Sequence, residues 1–198
     1  MSTLELVRQR LEEMTAIHLR LQNDDVAAAI GEVAKAMLRS YRQGRKAIVF
    51  GNGGSAADAQ HIVAELLGKF CLDRPPLPAV ALTVNTSSLT AIANDFGYAD
   101  VFRRQLEAIG EANDVAIGLS TSGNSENVLC ALQTARDRHL VTVALTGQDG
   151  GRMKDVARYC LRVPSDSTPR IQEMHIAIGH LLCEIVERGL FGEAGSTT

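Results

Sequence analysis

The sequence predicts an α/β domain built on a five-stranded parallel sheet with helices on both faces. Three observations carry that expectation. Short apolar runs of strand length alternate with longer amphipathic stretches. Runs that are apolar throughout, rather than at every second residue, belong to parallel strands buried on both sides and joined by helical crossovers. The runs ending at Phe50 and Leu119 pass directly into loops crowded with Gly, Ser and Asn, at the strand ends where such sheets bind ligands. The chain of 198 residues, 45% hydrophobic and 22% charged, has the composition of one globular domain with an ample core.

Two helices, Leu4 to Gln22 and Asp25 to Gln43, are expected before the sheet; in the first, Leu4, Val7, Leu11, Met14, His18 and Leu21 recur at helical spacing. The first strand, Ala47 to Phe50, leads through Gly51-Asn52-Gly53-Gly54-Ser55 into a helix from Ala56 to Gly68. Ala79 to Leu82 is the second strand, and helices at Ser87 to Asn94 and Asp100 to Ile109 cross to the third, Asp114 to Leu119. A helix from Glu126 to Arg138, a strand from Val141 to Leu145, a short helix from Gly150 to Ala157 and a strand from Tyr159 to Val163 complete the alternation. The long helix Pro169 to Leu190 presents Ile171, Met174, Ile178, Leu181, Leu182 and Ile185 as a core stripe. Phe191 to Thr198 reads as a frayed tail. With no repeat or linker, residues 1–198 form a single domain: a helical extension at 1–45, an αβα core at 46–192 and a tail at 193–198.

The formal net charge is −3 and no Lys/Arg run occurs, so nothing suggests a nucleic-acid footprint or a polybasic membrane surface. Met1 to Arg20 is interrupted by Glu5, Arg8, Arg10, Glu12 and Glu13, which suits neither a signal peptide nor a membrane span. A cytoplasmic protein acting on a small molecule is expected. Cys71, Cys130, Cys160 and Cys183 lie far apart with no C-x-x-C spacing; they read as reduced, mostly buried thiols rather than a zinc ribbon or redox dithiol.

The first loop is an anion cradle. Its glycines allow a tight turn and close approach of backbone N–H groups, and the helix opening at Ser55 favours negative charge at its N-terminus. Gly51, Gly53 and Ala56 also satisfy a G-x-G-x-x-A dinucleotide pattern, but Leu82 is followed by Thr83-Val84-Asn85 with no acid for a ribose. A Walker A loop is excluded, because no Gly-Lys-Ser/Thr follows. The second loop, Ser120-Thr121-Ser122-Gly123-Asn124-Ser125, places four hydroxyls and a glycine at the same sheet edge. Such donors grip phosphate oxygens without a permanent cation; the plainer alternative is a turn in which Asn124 or Ser125 caps the next helix.

His61 and Glu65, at i and i+4, leave one helix face and can converge on a metal ion or substrate; they could equally be a simple helix contact. Gln172, His175 and His180 on the last helix offer further ligands or proton carriers. Gln172 and His180 lie about 80° apart around the axis and could flank one pocket. Imidazole, carboxylate and amide oxygen together suit zinc. His175 and His139 read as structural or exposed.

With Asn94-Asp95-Phe96-Gly97, Thr146-Gly147 and Arg170-Ile171-Gln172-Glu173, these motifs give the chain a resemblance, through nearly its whole length, to the sugar isomerase (SIS) family, and within it to members acting on seven-carbon sugar phosphates. The resemblance implies a flavodoxin-like three-layer αβα sandwich. It implies a homotetramer with active sites between subunits, residues 1–45 serving in oligomerisation. The implied activity converts sedoheptulose 7-phosphate to D-glycero-D-manno-heptose 7-phosphate, at the start of nucleotide-activated heptose synthesis. Carried over by position, His61, Glu65, Gln172 and His180 match zinc ligands, one ion per subunit. Asn52, Gly53, Gly54, Ser55, Glu65, Asn94, Asp95, Ser120, Thr121, Ser122, Ser125 and Gln172 match substrate contacts. Glu65 and His180 fill the catalytic positions. The chain departs from some members in having Thr168-Pro169 where they carry an acid, and Lys69 where they carry Arg.

The chemistry fits these residues. Ketose-to-aldose isomerisation passes a proton between adjacent carbons through an enediol, which assigns Glu65 as the base. His180, with a reference pKa of about 6.5, suits proton movement among the sugar oxygens. Zinc would polarise the carbonyl, either loosely held or organising the site without joining the proton transfer, since a tightly ligated Glu65 is not a free base. The hydroxyl loop would anchor the phosphate and so orient the reacting carbons. Two alternatives stand beside this expectation. One is a non-enzymatic member that regulates replication by binding the bacterial initiator protein, which lacks the acid and histidine at positions 65 and 180. The other is an isomerase of a different phosphosugar.

Overall fold

The computed structural model describes residues 1–192, so the expected tail at 193–198 lies outside the described residues. Helices α1 (Thr3–Leu21) and α2 (Asp24–Arg42) precede strands β1 (Ala47–Gly51), β2 (Ala79–Ala81), β3 (Val115–Ser120), β4 (Val141–Thr146) and β5 (Tyr159–Arg162). The crossovers are α3 (Gly54–Leu67), α4 (Thr86–Phe96), α5 (Arg103–Ile109), α6 (Glu126–Asp137) and α7 (Met153–Val156), and α8 (Thr168–Phe191) closes the described chain. Every pairing is parallel and the order is β2-β1-β3-β4-β5. This flavodoxin-like order reverses direction between β1 and β3, where neighbouring crossovers leave on opposite faces and a crevice opens at the strand ends.

Alternate side chains of each strand enter two cores. Ala47, Val49, Ile117, Leu119, Val143 and Leu145 pack with α2, α3 and α8, while Ile48, Phe50, Ala116 and Ala144 pack with α5 and α6. Both faces are thus covered, which is why β1 and β3, buried from end to end, read as unbroken apolar runs. Gly118 lets α6 lie close on β3: a methyl there would stand 2.8 Å from Val128 and 3.1 Å from Leu132.

Several expectations need correction. The expected helix Asp100 to Ile109 divides into a 3₁₀ turn at Tyr98–Asp100 and α5, with Val101 and Phe102 at the break both entering the core. The short helix begins at Met153, not Gly150, because Gly150 and Gly151 hold φ of 73° and 51°, left of any right-handed helix. The first helix is present as expected, and its apolar stripe is exposed in the single chain, Leu4, Val7 and Leu11 included, with Ile17 the residue buried there. On α8, Leu181 and Ile185 face outward and Cys183 and Val186 take the inward positions. The thiols are less buried than expected: Cys71 is exposed, Cys130 and Cys160 half-buried and Cys183 buried, all free.

One buried ion pair ties the last helix to α3. Glu187 on α8, fully buried, accepts the backbone N–H groups of Phe70, Cys71 and Leu72 at 2.9, 2.6 and 2.8 Å and the Arg74 Nε at 3.0 Å. Arg74 also donates to the carbonyls of Glu65 and Leu66, both at 2.8 Å, and so closes the free end of α3. Burial pushes the Glu187 carboxyl up, but the three N–H groups and Arg74 outweigh it and hold the group below the usual 4.5.

Glu187→Gln is therefore expected to leave Arg74 buried and unpaired, at a cost of about 3–5 kcal/mol in urea unfolding. Because the folded-state pKa lies below the unfolded 4.5, the wild-type contribution is present above that value and is lost as pH falls through the folded one. The gap between wild type and variant should narrow at acid pH; a gap constant across that range would refute the charge's role.

Candidate active site

β1 delivers Gly51 to the crevice, and Gly53, at φ 56° and ψ −122°, turns the chain from strand into α3. Glycine is required on steric grounds: a methyl at Gly51 would stand 2.9 Å from the Leu119 carbonyl of β3. No side chain caps α3, so its first N–H groups open onto the crevice. Ser55, in the first turn, is buried. Asn52 is locked by a reciprocal amide pair with Asn127 on α6, each donating Nδ2 to the other's Oδ1 at 2.9 and 2.8 Å. Tyr98 adds its hydroxyl to Asn52 Oδ1 at 3.1 Å.

β3 delivers the second loop directly opposite. Ser120 Oγ lies 2.8 Å from Ser125 Oγ and 3.4 Å from Ser122 Oγ. Ser125 is the residue before α6, yet its side chain makes no cap hydrogen bond. The capping alternative fails for Ser125, whose hydroxyl turns to Ser120 instead of the helix it precedes. Asn124 is held in the loop, accepting from the Arg152 N–H at 3.0 Å and donating to the Ser122 carbonyl at 2.9 Å. Three hydroxyls and two uncapped helix starts thus face one crevice, a neutral set of donors for an anion.

The chemical group sits where α3 meets α8. His61 Nε2 lies 3.1 Å from Glu65 Oε1 and 3.0 Å from His180 Nε2, so a contact between helices brings together residues 119 apart in sequence. Phe70 packs against the His180 ring at 5.5 Å. One donor atom from each of His61, Glu65 and His180 falls within 4.8 Å of the others, so the three could hold a metal ion. Their separations are near the roughly 3.3 Å expected between neighbouring ligands of a tetrahedral ion with zinc-like bond lengths. Gln172 is placed against the first loop: a methyl on Gly54 would stand 2.5 Å from its Nε2.

The structure thus gathers Asn52, Gly53, Gly54 and Gln172 at one loop, Ser120, Ser122 and Ser125 at the other, and His61, Glu65 and His180 at the helix contact. Thr121 lines a neighbouring cavity of about 310 Å³, with Ser122, Gln148, Asp166 and Thr168, between the ends of β3, β4 and β5. Asn94 and Asp95 are not brought to the cluster; they pair with each other at 2.8 Å on the exposed face of α4. Lys69 is exposed. His175 is buried, and burial lowers its pKa to about 4 against the opposing pull of the Thr146 backbone, so it is a neutral core residue. Sequence reasoning missed Asn127, Tyr98 and Asp58. Asp58 lies one turn before His61, and burial pushes its carboxyl up to about 6 while His61 draws it down. Only spacing could have found Asn127, two residues beyond the hydroxyl loop.

The sequence profile described as the SIS domain matches residues 11–147. A phosphoheptose isomerase of Sulfurimonas denitrificans is 55% identical over 172 residues, 87% of this chain and 88% of the relative. One of Rhodospirillum rubrum is 52% identical over 176 residues, 89% and 94% of the two chains. The solved phosphoheptose isomerase from Francisella tularensis is similar at a TM-score of 0.91 and 38% identity, covering 95% of this chain and 100% of that one. That from Neisseria gonorrhoeae gives 0.88 and 40%, covering 94% and 99%.

Asn127→Ala should strip Asn52 of its partner and cost about 1–3 kcal/mol in urea unfolding, as expected for a buried amide left unsatisfied. Binding of inorganic phosphate should weaken in parallel, because the first loop loses its anchor. Unchanged stability and phosphate affinity would show that the amide pair does not hold the loop.

Proposed function

The chain belongs to the SIS domain family, and on that premise we propose that it isomerises sedoheptulose 7-phosphate to D-glycero-D-manno-heptose 7-phosphate through an enediol, at the start of nucleotide-activated heptose synthesis. The observation that carries this is the meeting of Glu65 and His180 from two helices beside two anion-ready loops. Relatives more than 50% identical are phosphoheptose isomerases. A purely regulatory role would need neither residue, and both are present and in register.

The phosphate binds at the Ser120, Ser122 and Ser125 hydroxyls and the N-terminus of α6, where neutral donors and helix dipole hold it without a cation. That anchorage fixes the far end of the sugar, so binding energy orients the reacting carbons. Glu65 takes the proton from the carbon beside the carbonyl and returns it to the adjacent carbon. His180, at the same contact, moves protons among the sugar oxygens during ring opening and enediol formation. Gln172, over Gly54, reaches the sugar from the loop side, as do Asn52 and Gly53; Thr121 and Ser55 complete the contacts within the chain. Zinc held by His61, Glu65 and His180, with the Gln172 amide oxygen completing the set, would act as a Lewis acid on the substrate carbonyl.

Asn94 and Asp95 belong to this reading only through assembly. Helix α4 has no buried residue, and α1 and α8 expose Leu4, Val7, Leu11, Leu181 and Ile185; a homotetramer in which residues 1–45 serve as the oligomerisation extension would cover such faces and bring α4 to a neighbouring site. A cytoplasmic location suits a phosphosugar substrate, and no helix among the described residues is long and apolar enough to cross a membrane.

Two measurements test the proposal. In deuterated water, the wild type should produce aldose signals from sedoheptulose 7-phosphate with deuterium at the carbon beside the new carbonyl. Glu65→Gln should lose at least about 10²–10⁴-fold in turnover with substrate binding retained; near-normal turnover in that variant removes the base assignment. By equilibrium dialysis, wild type should hold one zinc per chain and His61→Ala should not, and zinc retained at full occupancy by His61→Ala would refute the ligand set.

A further inference from the structure

We propose that a second cavity, at the amino-terminal edge of the sheet and so at the opposite end from the active site, binds a tetrahedral oxyanion of the phosphate class. The cavity, of about 140 Å³, is lined by Arg39, Ser40 and Gln43 on α2, by Asn113 before β3 and by Arg158 before β5, with Ala36 and Val141 as apolar walls. No carboxylate lines it.

Among the described residues its arginines make no ion pair, although the Arg158 guanidinium lies over the Tyr159 ring at 5.3 Å. Arg45 and Lys46 nearby, by contrast, engage Glu111 and Asp114. Glu32 also approaches Arg39 along α2, but Lys35 holds it at 2.8 Å. Two arginines line one small space, and an anion bound between them would accept charge-assisted, fork-shaped hydrogen bonds. Ser40, only 3% exposed, lines the cavity with its hydroxyl as a further neutral donor. The Gln43 and Asn113 amides add neutral donors.

A cavity of about 140 Å³ is room for more than one water and for a phosphoryl group. The group could arrive as free phosphate or as the head of a phosphate ester whose remainder stays in solvent. Arg39 and Arg158 are none of the catalytic, substrate or metal residues of the isomerase reading, so the two sites can fail separately, and the variant's oligomeric state is read alongside because Arg39 lies in the proposed oligomerisation extension.

The test is an amide NMR titration of the assembled protein with inorganic phosphate and, separately, with glycerol 3-phosphate. The resonances of Ser40, Gln43, Asn113 and Arg158 report on the new site, and those of Ser122 to Ser125 on the active-site loop. Saturable shifts at the first set with phosphate support a free-anion site; shifts with the ester alone support an ester site. Arg39→Gln/Arg158→Gln should weaken either by about tenfold or more, as expected when two charge-assisted donors go, while the loop shifts and turnover stay as in wild type. Shifts confined to the loop with both probes, or shifts at the first set that survive the double substitution, would overturn the proposal.

Discussion

The chemistry of this chain depends on the register between α3 and α8. His61 and Glu65 ride on one helix and His180 on the other, so a slip of one turn, about 5.4 Å, would separate the carboxylate and the two imidazoles beyond any hydrogen bond. Two devices fix that register. At the level of the cluster, Gly179 lets Ile62 press against α8, where a methyl would stand 2.7 Å from its Cγ1. Further along, Arg74 and Glu187 join the carboxyl end of α3, the loop after it and α8 through one buried charge pair. Close packing sets the distance between the helices, and the ion pair sets their axial position. A buried pair adds little net stability over apolar packing, but its geometry tolerates no alternative partner.

The sheet contributes the other half of the site by topology alone. Because strand order reverses between β1 and β3, their loops face each other and their following helices begin at the same crevice without side-chain caps. Uncapped N-termini are a loss for the free protein, since several N–H groups lack protein partners. An anion bound here would recover the loss. The turn of Ser125 away from its helix and toward Ser120 follows the same logic: a cap would satisfy the helix permanently and leave less for the ligand. Asn127 then takes over the structural duty, holding Asn52 from inside the helix that Ser125 leaves uncapped.

Much of this was legible in the sequence. The apolar runs, the glycine loop and the hydroxyl loop fixed the strands and the ligand edge, because backbone sterics and burial on both faces leave their mark on local composition. The i, i+4 pair His61 and Glu65 was equally visible. What was hidden shares one feature, distance in sequence. His180 was a candidate partner of His61 from residue type alone and was matched to it by position only through family resemblance, and neither Glu187 with Arg74 nor Asn127 with Asn52 left any local pattern. The error on α8 has another source: helical periodicity reports that a face is apolar, not what covers it. Leu4, Val7 and Leu11 and Leu181 and Ile185 form such faces, and in the single chain they meet water.

Those uncovered faces bear on the chemistry. An enediol beside a polarised carbonyl loses selectivity when water reaches it, and every charge interaction in the site weakens as its dielectric rises. His61 has half of its side chain exposed, and His180 is followed at once by the exposed Leu181, so the cluster lies at the rim of an apolar surface rather than under a lid of its own chain. A second copy laid on that surface would bury the apolar side chains and dry the cluster in one step. In such an assembly the same residues would couple association to catalysis, and the outward stripe of α8 would act as a core between chains.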